Sequence, residues 1–292
     1  MVGSAGARTC GLPVGLPEGP GGWQSGGPGA HVPETSSIGN RAGADAGACL
    51  WRQCVARYAS LVKTARIPSM PQAWTRRLLR RGVAAGPVFV AVFLVEGSVR
   101  GGYRPLRHPV SSLALGSRGW IQAGNFAVAG TLFLAGAAGL ARAGDPASSS
   151  RAAPALIGAA GAGLIAAAVF TTDPVSGYPP GTPDALTRPS NSGAAHNLAA
   201  LPVFLGLPAA ALACSWRAWR AAQRGFGLYS AGTAVTMLAA MALAAAGFGQ
   251  SPRLVDLGGL FQRASIITGF TWLTALSARA LRHRPPPAAP SQ

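Results

Sequence analysis

The chain has 292 residues, of which 49% are hydrophobic and only 11% are charged, and its mean hydropathy is +0.29. Soluble domains carry about 25% charged residues, so this composition excludes an ordinary water-soluble globular protein and favours a membrane protein. The formal net charge of +17 would suit a nucleic-acid-binding protein. The arginines, however, flank apolar segments, as they do in membrane proteins. We therefore expect the lipid bilayer, and no nucleic acid, as the partner.

The first 75 residues predict a disordered tail. Residues 1–75 are rich in glycine, proline and alanine and show no sustained apolar period. Such a segment cannot bury enough surface to offset its conformational entropy, and no apolar stretch typical of a signal peptide follows the first residue. Met70 precedes a basic stretch and the first apolar run. We expect the working protein to begin near Met70; a disordered cytoplasmic tail is the alternative.

Residues 76–284 predict an all-α, polytopic membrane domain that forms a bundle of six transmembrane helices. A helix needs about 20 largely apolar residues to cross the hydrocarbon core of a bilayer. Six segments approach or meet that length, and Arg, Pro, Gly or Asp bounds each of them: 83–99, 121–141, 153–172, 194–215, 226–248 and 257–281. Residues 285–292 are rich in proline and predict a second disordered terminus.

The distribution of arginine predicts how the domain is oriented. Basic residues concentrate on the cytoplasmic side of membrane proteins. Arginines are more numerous before the first span and after the second, fourth and sixth spans than at the opposite ends. We therefore expect a multi-pass cell-membrane protein with both termini in the cytoplasm. Lys63 is the only lysine, and this preference for arginine is typical of bacteria with GC-rich genomes.

This topology brings unusual polar residues to the extracytoplasmic side. We expect them to form a polar cluster that binds a small ligand, a lipid headgroup or an ion. The candidates are Glu96, His108, Ser111, Ser112, Asp173, His196 and Arg263. An ionisable group within a span costs about 2.5–3.5 kcal/mol, so it is usually paired or functional. Glu96 and Arg263 are expected either to pair, which would join the first and last helices, or to leave Glu96 as a proton- or substrate-handling carboxylate.

Two chemical hypotheses concern subsets of this cluster. His108, His196 and Asp173 carry imidazole and carboxylate groups that suit zinc, but their separations match no metal-binding motif. Structural roles for both histidines are the alternative, and the cofactor is left unassigned. Ser111 or Ser112 with a histidine and Asp173 could form a nucleophilic set. Pro109 followed by these serines is equally typical of a helix start.

Two loop motifs resemble those of a known family, the bacterial membrane proteins catalogued as domain of unknown function 998. The first is Arg107-His-Pro-Val-Ser-Ser-Leu-Ala-Leu-Gly116, followed by Gly119-Trp120 and Asn125. The second is Thr172-Asp-Pro-Val175 with Tyr178-Pro-Pro-Gly-Thr-Pro183, followed by Gly193, His196 and Phe261-Gln-Arg263. The resemblance covers about 81–281. It implies a multi-pass helical membrane protein and supplies no reaction.

Four functions stay open on the sequence alone. The first is the binding of a small ligand, lipid headgroup or ion by the polar cluster, and the second is a membrane-embedded, metal-dependent hydrolase of a lipid or envelope substrate. The third is a transporter that uses Glu96 for coupling, although no internal repeat supports it. The fourth is a structural subunit of an envelope complex. The small residues Gly136, Gly139, Gly158 and Gly161 suit either internal packing or a homo-oligomer or membrane protein partner. Whether the protein is an enzyme is undecided.

Overall fold

A computed structural model describes residues 72–144, 151–186 and 188–283. Within these ranges the chain forms six long helices: α1 Gln72–Val99, α2 Gly119–Leu140, α3 Ala152–Val169, α4 Asn191–Arg220, α5 Arg224–Phe248 and α6 Gly258–Arg282. A short 3₁₀ helix, Val110–Ala114, lies between α1 and α2. The predicted all-α, six-helix membrane bundle is therefore confirmed.

The helices differ from the predicted spans mainly at their ends. Helix α1 begins at Gln72, so residues 72–75, which were assigned to the disordered tail, are helical; this assignment was wrong because the arginine-rich stretch continues the first helix beyond its apolar part. Helix α3 ends at Val169, three residues before its predicted end. The remainder of the predicted tail and the predicted C-terminal tail lie outside the described residues.

Five of the six helices are long and apolar enough to cross a membrane: α1 to α5. Helix α6 has 25 residues, which is sufficient length, but polar side chains lower its hydropathy. Gln262, Arg263 and Ser265 are all buried, and each makes a side-chain hydrogen bond. They face the interior of the bundle because α6 packs between α1 and α5. Polar residues that are satisfied inside a bundle are compatible with a helix in a lipid environment.

Small residues bring neighbouring helices close together. Each helix packs against the next along the chain, and α6 packs back against α1, so the six form a closed ring. A Cβ atom added to Gly136 of α2 would lie 2.8 Å from the Cα of Gly82 in α1. A Cβ added to Gly161 of α3 would lie 2.8 Å from the carbonyl oxygen of Gly130 in α2. These glycines therefore serve packing within the chain.

Helix α4 is interrupted near its middle. It runs regularly over Asn191–Leu201, continues as a π-helical turn over Pro202–Gly206, and becomes regular again over Leu207–Arg220. Pro202 and Pro208 bracket the turn, and each lacks the backbone N–H that an α-helix would use. Such wide turns occur where the regular hydrogen-bond ladder is broken, frequently at functional sites. The interruption lies beside the cavity described below.

Candidate functional site

Three connections at one end of the bundle are joined by a single arginine. They are residues 100–118, 170–190 apart from residue 187, and 249–257, and we call them the loop cap. Arg107, from the first, donates to Asp184 at 2.8 Å and to Asp256 at 3.0 Å. It also donates to the carbonyl of Ser176 at 3.2 Å. Its hydrogen bond with Asp256 is the main reason that the pKa of Arg107 is raised. Arg107 thus holds the three connections in one arrangement.

Glu96 belongs to an ion cluster at the end of α1, in which Glu96 and Arg100 are buried and Arg118 is exposed. Its side chain contacts Arg100 at 2.6 Å and Arg118 at 2.9 Å. Arg100 also donates to the carbonyls of Leu113 and Leu115, at 3.0 and 2.9 Å. The predicted pair between Glu96 and Arg263 was wrong, because arginines of the first connection reach the carboxylate instead. Glu96 therefore anchors this connection to α1.

Arg263 collects backbone carbonyls from the loop cap. Its guanidinium donates to the carbonyls of Pro105 and His108, the latter at 3.1 Å, and to Gly259 of its own helix at 2.9 Å. It also donates to the hydroxyl of Tyr103. Among the described residues no carboxylate lies within ion-pair distance of Arg263. Carbonyl dipoles and the aromatic ring of Tyr103, 5.6 Å away, stabilise this buried charge instead.

His108 is a structural acceptor inside the loop cap. Its Nδ1 accepts the backbone N–H of Arg104 at 2.9 Å. The ring packs between those of Tyr103 and Tyr178, with centroids 5.5 and 5.2 Å away. Burial lowers the pKa of His108 to about 4, so the ring is neutral near pH 7. This environment orders the connection and leaves the ring little contact with solvent.

Asp173 organises the start of α4. Its carboxylate accepts the backbone N–H of Ser190 at 2.9 Å and the hydroxyl of Ser190 at 2.6 Å. The Ser190 hydroxyl oxygen in turn accepts the N–H of Gly193 at 3.0 Å, which caps the helix. The carboxylate packs so closely that a Cβ on Gly193 would lie 2.0 Å from one of its oxygens. Asp173 is therefore engaged in helix capping.

His196 lies one turn further along α4 and faces the interior. Its Nδ1 lies 2.8 Å from the carbonyl oxygen of Phe170. A carbonyl can only accept, so Nδ1 carries the proton and Nε2 is the acceptor of the neutral ring. The ring makes an edge contact with Phe126, with centroids 5.9 Å apart. His196 is only 4% exposed, and it forms part of the wall of a cavity.

The cavity has a volume of about 440 Å³ and lies under the loop cap. Aliphatic and aromatic side chains from all six helices form most of its wall. The polar residues on this wall are Ser111, Thr172, His196, Asn197 and Gln262. Gln262 uses its amide oxygen to accept the N–H of Val110 at 2.7 Å, which leaves its amide nitrogen as a donor. A concave apolar site of about 300–1,000 Å³ with a few polar groups is typical of small-molecule binding.

Only two of the predicted cluster residues, Ser111 and His196, lie on the cavity wall. Thr172, Asn197 and Gln262 were not singled out from the sequence. Thr172 and Gln262 stand inside the motifs quoted above, and a glutamine within an apolar helix is itself a signal of a buried role. The other predicted residues hold the loop cap together, apart from Ser112. Its hydroxyl is fully buried and has no hydrogen-bond partner in the described part of the chain.

The structure gives little support to the hypotheses of a metal site and of a serine nucleophile. Across residues 72–144, 151–186 and 188–283, no group of three His, Cys, Asp or Glu side chains is placed to hold a metal ion. The structure therefore does not bring His108, Asp173 and His196 together as ligands. Within the same ranges, no hydrogen bond joins Ser111 or Ser112 to a histidine, and Phe170, rather than Asp173, orients His196.

The comparisons with known proteins agree with this architecture. The family described as a protein of unknown function, DUF998, matches residues 83–279. No curated protein matches the chain, and no solved structure does. The matched region covers more than half of the 292 residues and runs from the first apolar span almost to the end of α6, so it contains the loop cap and the cavity. The chain is a multi-pass integral membrane protein that belongs to the DUF998 family.

Proposed function

We propose that this protein binds a small molecule with a largely apolar body in the cavity beneath the loop cap. The cavity itself carries the proposal, because its volume of about 440 Å³ lies in the range of sites that enclose small ligands. An empty void of this size in a close-packed bundle lowers the stability of the fold, because the residues around it lose packing contacts. A bound molecule would restore those contacts.

The polar side chains on the wall would orient the ligand. Nε2 of His196 can accept a hydrogen bond, the amide nitrogen of Gln262 can donate one, and the Ser111 hydroxyl can do either. All three lie on the wall of the same cavity. A few convergent polar groups on an apolar wall supply specificity, because a ligand lacking the matching atoms would leave them unsatisfied.

The proposal includes an orientation. The loop cap would face the outside of the cell and both termini the cytoplasm, in the cell membrane. The arginines at the other end of the bundle support this, among them Arg76, Arg80, Arg217 and Arg279. Cysteines introduced singly at Arg188 and Arg220 test it through a membrane-impermeant thiol reagent on intact cells. Labelling of the Arg220→Cys variant alone would mean that the loop cap faces the cytoplasm, which is the opposite of the proposed orientation. That the protein is a transporter, or that it forms a homo-oligomer, stays a prediction from the sequence.

The test of the proposed function compares two alanines of α4. Ala200 lines the cavity, whereas Ala194 is exposed and does not. Small molecules that co-purify with the protein are extracted and quantified for the wild type, Ala200→Phe and Ala194→Phe. We expect one or more compounds in near-stoichiometric amount in the wild type and in Ala194→Phe, and their loss from Ala200→Phe. Equal amounts in all three, or none in the wild type, would refute ligand binding in this cavity.

A further inference from the structure

We propose that the ligand is a membrane lipid with an uncharged polar end, and that it enters the cavity sideways from the bilayer between α4 and α5. This inference rests on the proposed function, because it names the ligand class and the entry route for the same cavity. Three features carry it: an opening in the cavity wall, the depth of that opening along α4, and the absence of charged groups from the described wall.

The opening lies between α4 and α5. Leu201 and Leu205 line the cavity and yet are 48% and 57% exposed. Met241 and Phe248 form the facing wall on α5. The first half of α4 packs against α3, and its packing against α5 is concentrated from the π-helical turn onward. The two helices therefore separate towards the loop cap, and the same leucines contact both the cavity and the outside.

The depth of the opening places it at the hydrocarbon core. The 11 residues from Asn191 to Leu201 span roughly 16 Å of the 30-residue helix α4. With α4 centred in the bilayer, Leu201 lies within the apolar core, which is about 30 Å thick. On the aqueous side the loop cap covers the cavity, with Pro109 and Val110 in its wall and Val110 only 1% exposed. Lipid chains thus lie closer to the cavity than bulk water does.

The described wall suits a lipid whose polar end is uncharged. Among its described residues there is no Asp, Glu, Lys or Arg, and His196 is the only titratable group. The nearby charges are already engaged: Glu96 with Arg100 and Arg118, and Arg263 with carbonyl groups. A buried charge without a partner is costly, whereas hydroxyl and carbonyl oxygens can be satisfied by neutral side chains. A glycerol monoester has both of these groups on a single alkyl chain.

The experiment uses two photoreactive lipids in nanodiscs that contain the wild-type protein. Both carry the same diazirine-bearing alkyl chain. One is a glycerol monoester, whose polar end is uncharged, and the other is the fatty acid, whose polar end is a carboxylic acid. Labelled residues are mapped by mass spectrometry. We expect the monoester to label the cavity residues Leu164, Ile266 and Phe270, which are at most 5% exposed, at least about tenfold more than the fatty acid does, the ratio for a difference of about 1.4 kcal/mol. Phe133 and Leu273 are equally buried but lie off the cavity wall, and they should stay unlabelled.

The entry route is tested with a matched pair on α4. Leu205→Trp adds bulk at the opening, and Leu198→Trp adds it at an exposed position of the same helix that does not line the cavity. Labelling of the cavity should slow several-fold in Leu205→Trp and be unchanged in Leu198→Trp. Equal rates in the two variants would overturn the lateral route, and equal labelling by the fatty acid would overturn the uncharged class.

The outcomes separate this inference from the proposed function. If neither lipid labels the cavity while Ala200→Phe still removes a co-purified molecule, ligand binding stands and the lipid inference falls. If the cavity is not labelled and no molecule co-purifies, both fall. If the monoester labels the cavity and Ala200→Phe abolishes that labelling while Ala194→Phe does not, both are supported.

Discussion

Replacing Glu96 with glutamine should lower the free energy of unfolding by about 3 kcal/mol, the scale for breaking a buried ion pair. Glutamine keeps the size of the side chain and one acceptor oxygen but removes the charge that Arg100 and Arg118 share. Arg100 would keep its carbonyl partners at Leu113 and Leu115, yet its charge would stay buried, since its side chain is 8% exposed. The loss is therefore one of charge compensation rather than of packing.

Thermal unfolding in a mild detergent measures this effect. For a domain of this size, 1 kcal/mol corresponds to roughly 2–4 °C, so Glu96→Gln should lower the midpoint by roughly 6–12 °C. The control is Asp256→Asn, whose carboxylate pairs with Arg107 but is 61% exposed; exposed pairs contribute at most about 1 kcal/mol. If Glu96→Gln shifts the midpoint no further than Asp256→Asn does, the ion cluster does not anchor the first connection as argued.

Two further predictions concern packing and pH. A Cβ on Gly163 would lie 2.3 Å from the carbonyl oxygen of Ala199, so Gly163→Ala should force α3 and α4 apart and lower the free energy of unfolding by about 1–3 kcal/mol. The control, Gly232→Ala, places its Cβ in open space and should be neutral or stabilising by up to about 1 kcal/mol. Equal thermal unfolding midpoints for the two variants would contradict this prediction. Burial holds the pKa of His108 at about 4, below its value of about 6.5 in an unfolded chain. The unfolded chain therefore binds more protons between these values, and stability should fall as the pH drops from about 6.5 to 4. His108→Asn keeps an acceptor for the N–H of Arg104 but removes the titrating ring, so the thermal unfolding midpoint should fall less between about pH 6.5 and pH 4 than it does in the wild type. An equal fall in the two proteins would refute the role given to His108.

The membrane bundle could be predicted because its signal is local. Each span is an apolar run between polar residues, and the length of a run needs no knowledge of its neighbours. The prediction of Arg263 as the partner of Glu96 was wrong because it considered only charged residues within the predicted spans. Arg100 follows Glu96 by four residues, the spacing at which two side chains of a helix meet. That spacing is visible in the sequence, but Arg100 lies just beyond the predicted first span, 83–99, and therefore in the predicted loop.

The cavity could not be predicted because it arises from tertiary geometry. Its opening depends on where α4 departs from regular helix, and on α5 lying away from the first half of α4. Pro202 and Pro208 signal an interruption, but prolines are common in membrane helices and do not specify the resulting shape. Gln262 reaches the wall only because α6 packs between α1 and α5 and turns its polar residues towards the interior of the bundle.

The closed ring of helices also sets an order for biosynthesis. Helix α1 packs on α6 so closely that a Cβ on Gly86 would lie 2.7 Å from the carbonyl oxygen of Phe270, and Thr274 donates to the carbonyl of Val83 at 3.1 Å. Because a chain is made from its N-terminus, the first helix has to wait in the bilayer for the last before the ring can close. Arg263 arrives with that last helix, after the carbonyls of Pro105 and His108 that receive it have been made. The buried charge of Arg263 is thus translated only after the residues that bind it.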